Sequence, residues 1–172
     1  MAERTRIQAI HAYVSQLQRI VSCVSQDIVR AQGSYGNPNT PVALSLAGGR
    51  PVRLRGPQRI RLRVRLRLQL VQAEELRGHW QAEAAAYEYR LSDHDDREIL
   101  AYHWHPDGQS ETRTPHLHLG AAAEIGHAAL LTAHLPTGHV ASPDVLRLAI
   151  ESFDAEPLRH DWPRVFEAAQ AP

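Results

Sequence analysis

Ile60-Arg61-Leu62-Arg63-Val64-Arg65-Leu66-Arg67-Leu68-Gln69-Leu70 alternates apolar and polar residues without a break. In an extended chain, successive side chains point to opposite faces. The stretch therefore places six apolar side chains on one face and four arginines on the other. It reads as the clearest strand of the chain, half in a core and half polar.

Working outward from it, a turn near Arg77-Gly78 leads to a second strand over 80–91, although its Ala84-Ala85-Ala86 centre also tolerates helix. Asp93-His94-Asp95-Asp96 reads as a turn, 98–105 as a third strand, Pro106-Asp107-Gly108 as a break and 115–119 as a fourth strand. Every connection is short, so a four- to five-stranded antiparallel meander is the natural topology. Beyond it, Ser142-Pro143-Asp144 offers a cap, a proline for the first helical position and an acid for the first turn. Asp161-Trp162-Pro163 starts a second, terminal helix.

Upstream, residues 33–58 are a Gly/Pro-rich connector, with a short hairpin predicted between Val42–Leu46 and 52–55. Residues 1–32 read as one long amphipathic helix from Arg4 to Gln32, free of internal Gly and Pro. Ile7, Ile10, Val14, Leu17, Val21, Val24 and Ile28 follow a heptad spacing. That seam suits packing on the chain's own sheet, and it equally suits a homo-oligomer or a protein partner. The fold class is α+β: the heptad helix (1–32), the connector (33–58) and an α+β body (59–172).

Composition narrows the function. With 172 residues, 43% hydrophobic and 22% charged, the chain has the make-up of an ordinary globular protein. No apolar run approaches the ~20 residues of a membrane helix, and the polar N-terminus does not resemble a signal peptide. One cysteine, Cys23, supports a reducing, cytoplasmic location. All 19 basic residues are arginine, as a GC-rich genome would produce, and 19 acids balance them. The balance hides an asymmetry, because Arg50 to Arg67 holds eight arginines and no acid.

Seven of the eleven histidines fall between His103 and His139. Two pairs, His103-Trp104-His105 and His116-Leu117-His118, each place two imidazoles on one face of a strand. If those strands are antiparallel neighbours, four imidazoles meet. Two kinds of chemistry then open. Paired histidines can act as general base and acid without a metal. Neutral imidazoles can instead ligate zinc or another transition metal. His103 and His116 are the candidate acid and base, supported by His105 and His118, and the same four are the candidate ligands. The alternative is a half-exposed polar face making ordinary hydrogen bonds. His94 and His127 read as surface residues, while His134 and His139 are placed to close the site from a loop.

Arg61, Arg63, Arg65 and Arg67, spaced by two, can follow a phosphate backbone. They can equally pair with acids such as Glu83 and Glu88 on the next strand. Phosphate-binding Arg61, Arg63 and Arg65 would make RNA the expected partner. Tyr87, Tyr89 and Tyr102 read as sheet packing, and Cys23 lacks a catalytic context. No Gly-rich phosphate loop, Gly-x-Ser-x-Gly elbow or His-Glu-x-x-His motif is present.

Tyr87-Glu88-Tyr89, then Ala101-Tyr102-His103-Trp104-His105-Pro106-Asp107-Gly108 and Thr114-Pro115-His116-Leu117-His118, resembles the small TumE-like toxin components of bacterial toxin–antitoxin pairs, over roughly residues 60–120. The resemblance implies a cytoplasmic bacterial protein acting beside an antitoxin, with RNA as its target. On this expectation the paired histidines cleave RNA without a metal. Two other classes stay open: a non-catalytic assembly or adaptor protein working through the heptad helix, and a histidine-ligated metal enzyme.

Overall fold

A computed structural model of the chain describes residues 2–33, 40–74, 76–108 and 111–170. Among the described residues, three α-helices lie against one face of an eight-stranded antiparallel sheet, as expected for an α+β protein. The strand order is β1 (Val29–Gln32), β2 (Val42–Leu46), β4 (Arg61–Gln72), β5 (Trp80–Ser92), β6 (Glu98–Trp104), β7 (His116–Leu119) and β8 (Leu135–Pro136), with β3 (Val52–Arg53) also on β4.

The alternating stretch is β4, and its apolar residues form the centre of the core: Leu62, Val64, Leu66 and Leu68 are all buried. Its partners continue the pattern, since Leu62 faces Leu91, Val64 faces Tyr89 and Leu66 faces Tyr87. From β4 to β8 the sheet is the expected meander. Strands β2 and β3 fall on the predicted hairpin segments, β1 and β8 are additional, and together they enlarge the four- to five-stranded meander. The predicted hairpin does not form, because β2 and β3 pair along the same edge of β4 and not with each other. A 3-10 turn at Ala47–Gly49 lets the chain leave that edge and return to it. Of the expected connector, residues 34–39 lie outside the described residues, and the rest supplies sheet.

The N-terminal helix is shorter than its heptads predict. It runs as α1 (Arg6–Val21), and Val29–Gln32 is an edge strand instead. The reason is local competition between Ser22 and Val29. The Ser25 hydroxyl donates to Asp27 Oδ2 and accepts from the Asp27 amide, which builds a turn. Gln18 then spans the gap: its Nε2 donates to the Asp27 carbonyl and its Oε1 accepts from the Val29 amide at 2.8 Å. With the helix stopped, Ile28 turns outward to 63% exposure. Ile10, Leu17, Ile20 and Val21 are buried in a cluster shared with Leu62, Val145 and Phe166. The seam is thus spent on the chain's own core, and the helix does not stand away from the body.

At the C-terminal end, α2 (Ser142–Ser152) starts on the expected cap residue itself, one residue before the expected first helical position at Pro143. Ala141 occupies the cap position and its amide donates to Asp144 Oδ2 at 3.2 Å. Helix α3 (Trp162–Gln170) buries Val165 and Phe166 against the other helices. Among the described residues, no helix is long and apolar enough to cross a membrane.

Candidate metal centre on the polar face of the sheet

The helices cover only the apolar face. On the opposite face, register carries one row of residues across five strand pairings: Ser45, Arg65, Glu88, His103, His116 and Pro136. Both predicted clusters lie on this face. Neighbouring strands are about 4.8 Å apart, so Arg65 on β4 sits roughly 10 Å from His103 on β6.

The two His-x-His pairs do lie on adjacent antiparallel strands. His103 faces His116, and His118 faces Ala101, a fully buried residue small enough to leave space for the rings. Ring centroids are 5.8 Å apart for His103 and His116, 5.0 Å for His103 and His118, and 4.9 Å for His116 and His118. One ring nitrogen from each of the three lies within 4.8 Å of those of the other two. His105 stands at the margin, 5.6 Å from His103, and faces a shallow groove beside Arg65, Arg67 and Glu88.

His134 completes the group. The pairing of Leu135 with Leu117 holds the short strand β8 along β7. That places the His134 ring 4.4 Å from His118 and 4.9 Å from His116. The loop position suggested by the sequence is therefore occupied by His134 but not by His139, which packs edge-on against Trp104 on the other side of the sheet at 4.2 Å. His94 and His127 are exposed, as expected. Gly120 lets the chain end β7 tightly against β6: its amide donates to the Ile99 carbonyl, and a β-carbon there would collide with the backbone of Glu98.

Burial disfavours the charged form of His103, His105 and His118. Burial, followed by the proximity of His118, lowers the His103 pKa to about 4, and the Glu88 carboxylate opposes this only in part. At pH 7 a group with that pKa is protonated about once in a thousand molecules. His118 is lowered by burial and then by His134 and His116, and His105 mainly by burial. His116 is 4% exposed, and its Nδ1 lies 2.7 Å from the Thr114 carbonyl. A carbonyl only accepts, so Nδ1 is the donor in this contact and Nε2 is the nitrogen left for another partner. A backbone carbonyl orienting the far nitrogen in this way is a familiar support of metal-binding histidines.

The arginine half of the face is arranged differently. Arg63 pairs with Asp96 at 3.6 Å, Arg65 with Glu88 at 3.3 Å and Arg67 with Asp107 at 2.6 Å. Arg90, between the two halves on β5, pairs with Glu98 at 3.5 Å. Of the three predicted phosphate ligands, Arg63 and Arg65 thus already hold carboxylates, while Arg61 sits next to Arg53 and Ser92 at the far end of the strand. Tyr87 and Tyr89 are buried on the apolar face, and Cys23 is buried with its thiol pKa raised by that burial. No protein-family model, curated protein or solved structure matches the chain.

Proposed function

We propose that this chain is a mononuclear transition-metal protein, with His103, His116 and His118 as its ligands and zinc as the simplest fit. The observation that carries this reading is the convergence of three ring nitrogens within 4.8 Å, with no carboxylate among them. Three nitrogens bound at about 2 Å to one zinc stand roughly 3.3 Å apart, a closure that small side-chain rotations supply. The lowered pKa values of His103 and His118 favour the same role, because a ligand must be unprotonated. Three protein ligands leave a fourth position for water or substrate, the pattern of catalytic rather than structural zinc. A bound metal there would polarise a substrate oxygen or acidify a bound water. His134, whose ring is 4.4 Å from that of His118, would be the residue to hold or move a proton there.

The test is transition-metal content per protomer in protein purified without a histidine tag. About one zinc, iron, manganese or copper is expected, lost in His118→Ala and retained in His127→Ala. Metal-free protein that takes none up from solution would overturn the proposal.

A second reading keeps the paired histidines as a metal-free RNA-cleaving site in a toxin-like protein working beside an antitoxin. The shared face of arginines and histidines favours it. Against it, the scheme needs one imidazole protonated at neutral pH, and His103 is the group least suited to that. RNA cleavage that persists in excess chelator and disappears in His116→Ala would favour this reading over the metal centre.

A further inference from the structure

On the apolar face, a cavity of about 510 Å³ opens between α1, β5 and residues 139–143. Its origin is local. Strand β6 ends with Trp104 opposite Tyr87, so the lower half of β5 loses its neighbour on that side. The β4–β5 register shifts there: Leu68 faces Ala84 and Arg67 faces Ala86, which leaves Ala85 unpaired. Alanines thus stand where larger side chains would have filled the space beneath α1.

The walls are largely aromatic, formed by Tyr13, Tyr87, Tyr89, Trp104 and His139, with Leu17 and Val140 among the aliphatic members. Two tyrosine hydroxyls are already engaged. The Tyr87 oxygen accepts from the Val140 amide at 3.1 Å, and Tyr89 shares a 3.0 Å hydrogen bond with Ser142. What these two rings offer an occupant is therefore aromatic surface rather than hydroxyl. In a chain with 19 arginines, none lines this cavity. Glu83 does line it; it is half-buried and, among the described residues, forms no ion pair. Its nearest polar contact is the Gln81 amide at 3.4 Å.

From these features we infer that the cavity binds a small organic cation, an amine carried on an apolar, aromatic-sized body. The volume falls within the range of small-molecule pockets. Aromatic faces attract cations through their quadrupoles, and an unpaired carboxylate supplies the counter-charge. The same features disfavour an anionic ligand of equal size.

The test uses three probes with one body, 2-phenylethylamine, 2-phenylethanol and 3-phenylpropionate, titrated at pH 8 with tryptophan fluorescence and calorimetry as readouts. The amine should bind most tightly and the carboxylate least. Glu83→Gln should weaken the amine by about tenfold and remove its advantage over the alcohol. Ala84→Leu should abolish binding of both by filling the cavity. His118→Ala, on the other face of the sheet, should leave all three affinities unchanged, so the outcome is independent of the metal centre. Equal binding of amine and alcohol to the unaltered protein would overturn the inference, as would amine binding that survives both cavity variants. Absence of amine binding up to its solubility limit would overturn it too.

Discussion

The two halves of the sheet's polar face are built from the same strands and the same period-two geometry, yet they resolve their charges in opposite ways. On β4 and β5 each of Arg63, Arg65, Arg67 and Arg90 has a carboxylate within 4 Å. On β6 and β7 the imidazoles face one another, and no carboxylate joins the group of three. The first half finds most of its counter-charge within the fold, although the Nε atoms of Arg63, Arg67 and Arg90 are buried without a hydrogen-bond partner among the described residues. In the second, burial lowers the pKa of His103 and His118, and one ring nitrogen from each of His103, His116 and His118 lies within 4.8 Å of the other two. The arginine half gathers opposite charges, whereas the histidine half gathers like groups able to share one ion.

The largest effect that would break this contrast belongs to the histidine half. His116→Ala should lower metal affinity by about a hundredfold or more, roughly 3 kcal/mol, measured by competition with a chromogenic chelator. Arg65→Ala should leave that affinity within about twofold, roughly 0.4 kcal/mol. Equal losses from both would mean that the two halves work as one surface.

Acid should come next in size. The unfolded chain binds a proton at an ordinary imidazole pKa of about 6.5, whereas folded His103 resists one until about 4. Between these values the unfolded state holds more protons, so stability is full above about pH 6.5 and falls as the pH drops toward 4. Calorimetry of metal-free protein should show the Tm declining by several degrees across this window, with a shallower decline in His103→Gln. A flat Tm would mean that the imidazoles are not held neutral by the fold.

In the arginine half, Arg65→Gln should cost less than about 1 kcal/mol in denaturant unfolding, as exposed ion pairs usually do. A larger loss would show the ladder to be more than a solvated surface. Smallest of all, Glu88→Gln should move the His103 midpoint further down in an NMR titration, because Glu88 is the one neighbour that raises it. An upward movement would reverse the assigned sign. Glu88 lies in register with both Arg65 and His103, so this variant probes the seam between the halves.

Much of this was legible in the residues. Period two identified β4, and the histidine pairs gave the geometry of the site because i and i+2 share a face in any strand. Short connections suggested a meander, but the adjacency of β6 and β7 stayed open in the sequence, and it is the register of His103 with His116 that settles it. What the pattern did not carry was the end of α1. Val21, Val24 and Ile28 continue a heptad equally well in a helix that has stopped, and the stop is made by Ser25, Asp27 and the distant Gln18. His134 was visible only as a loop histidine, because its place depends on a two-residue strand too short to leave a periodic signal. The pairing of the arginines was open for a similar reason: Asp96 and Asp107 come from turns, where side-chain direction follows no period.

Gln18 has one more consequence, in the time domain of hydrogen exchange. The Val29 amide at the start of β1 is held by a helix side chain rather than by a neighbouring strand. Its exchange therefore reports the docking of α1 on the sheet, although the residue itself belongs to the sheet's edge. Amides of β1 bonded to β2 follow the fraying of that edge. A single position thus serves as a built-in clock for the seating of the helix, readable without any label.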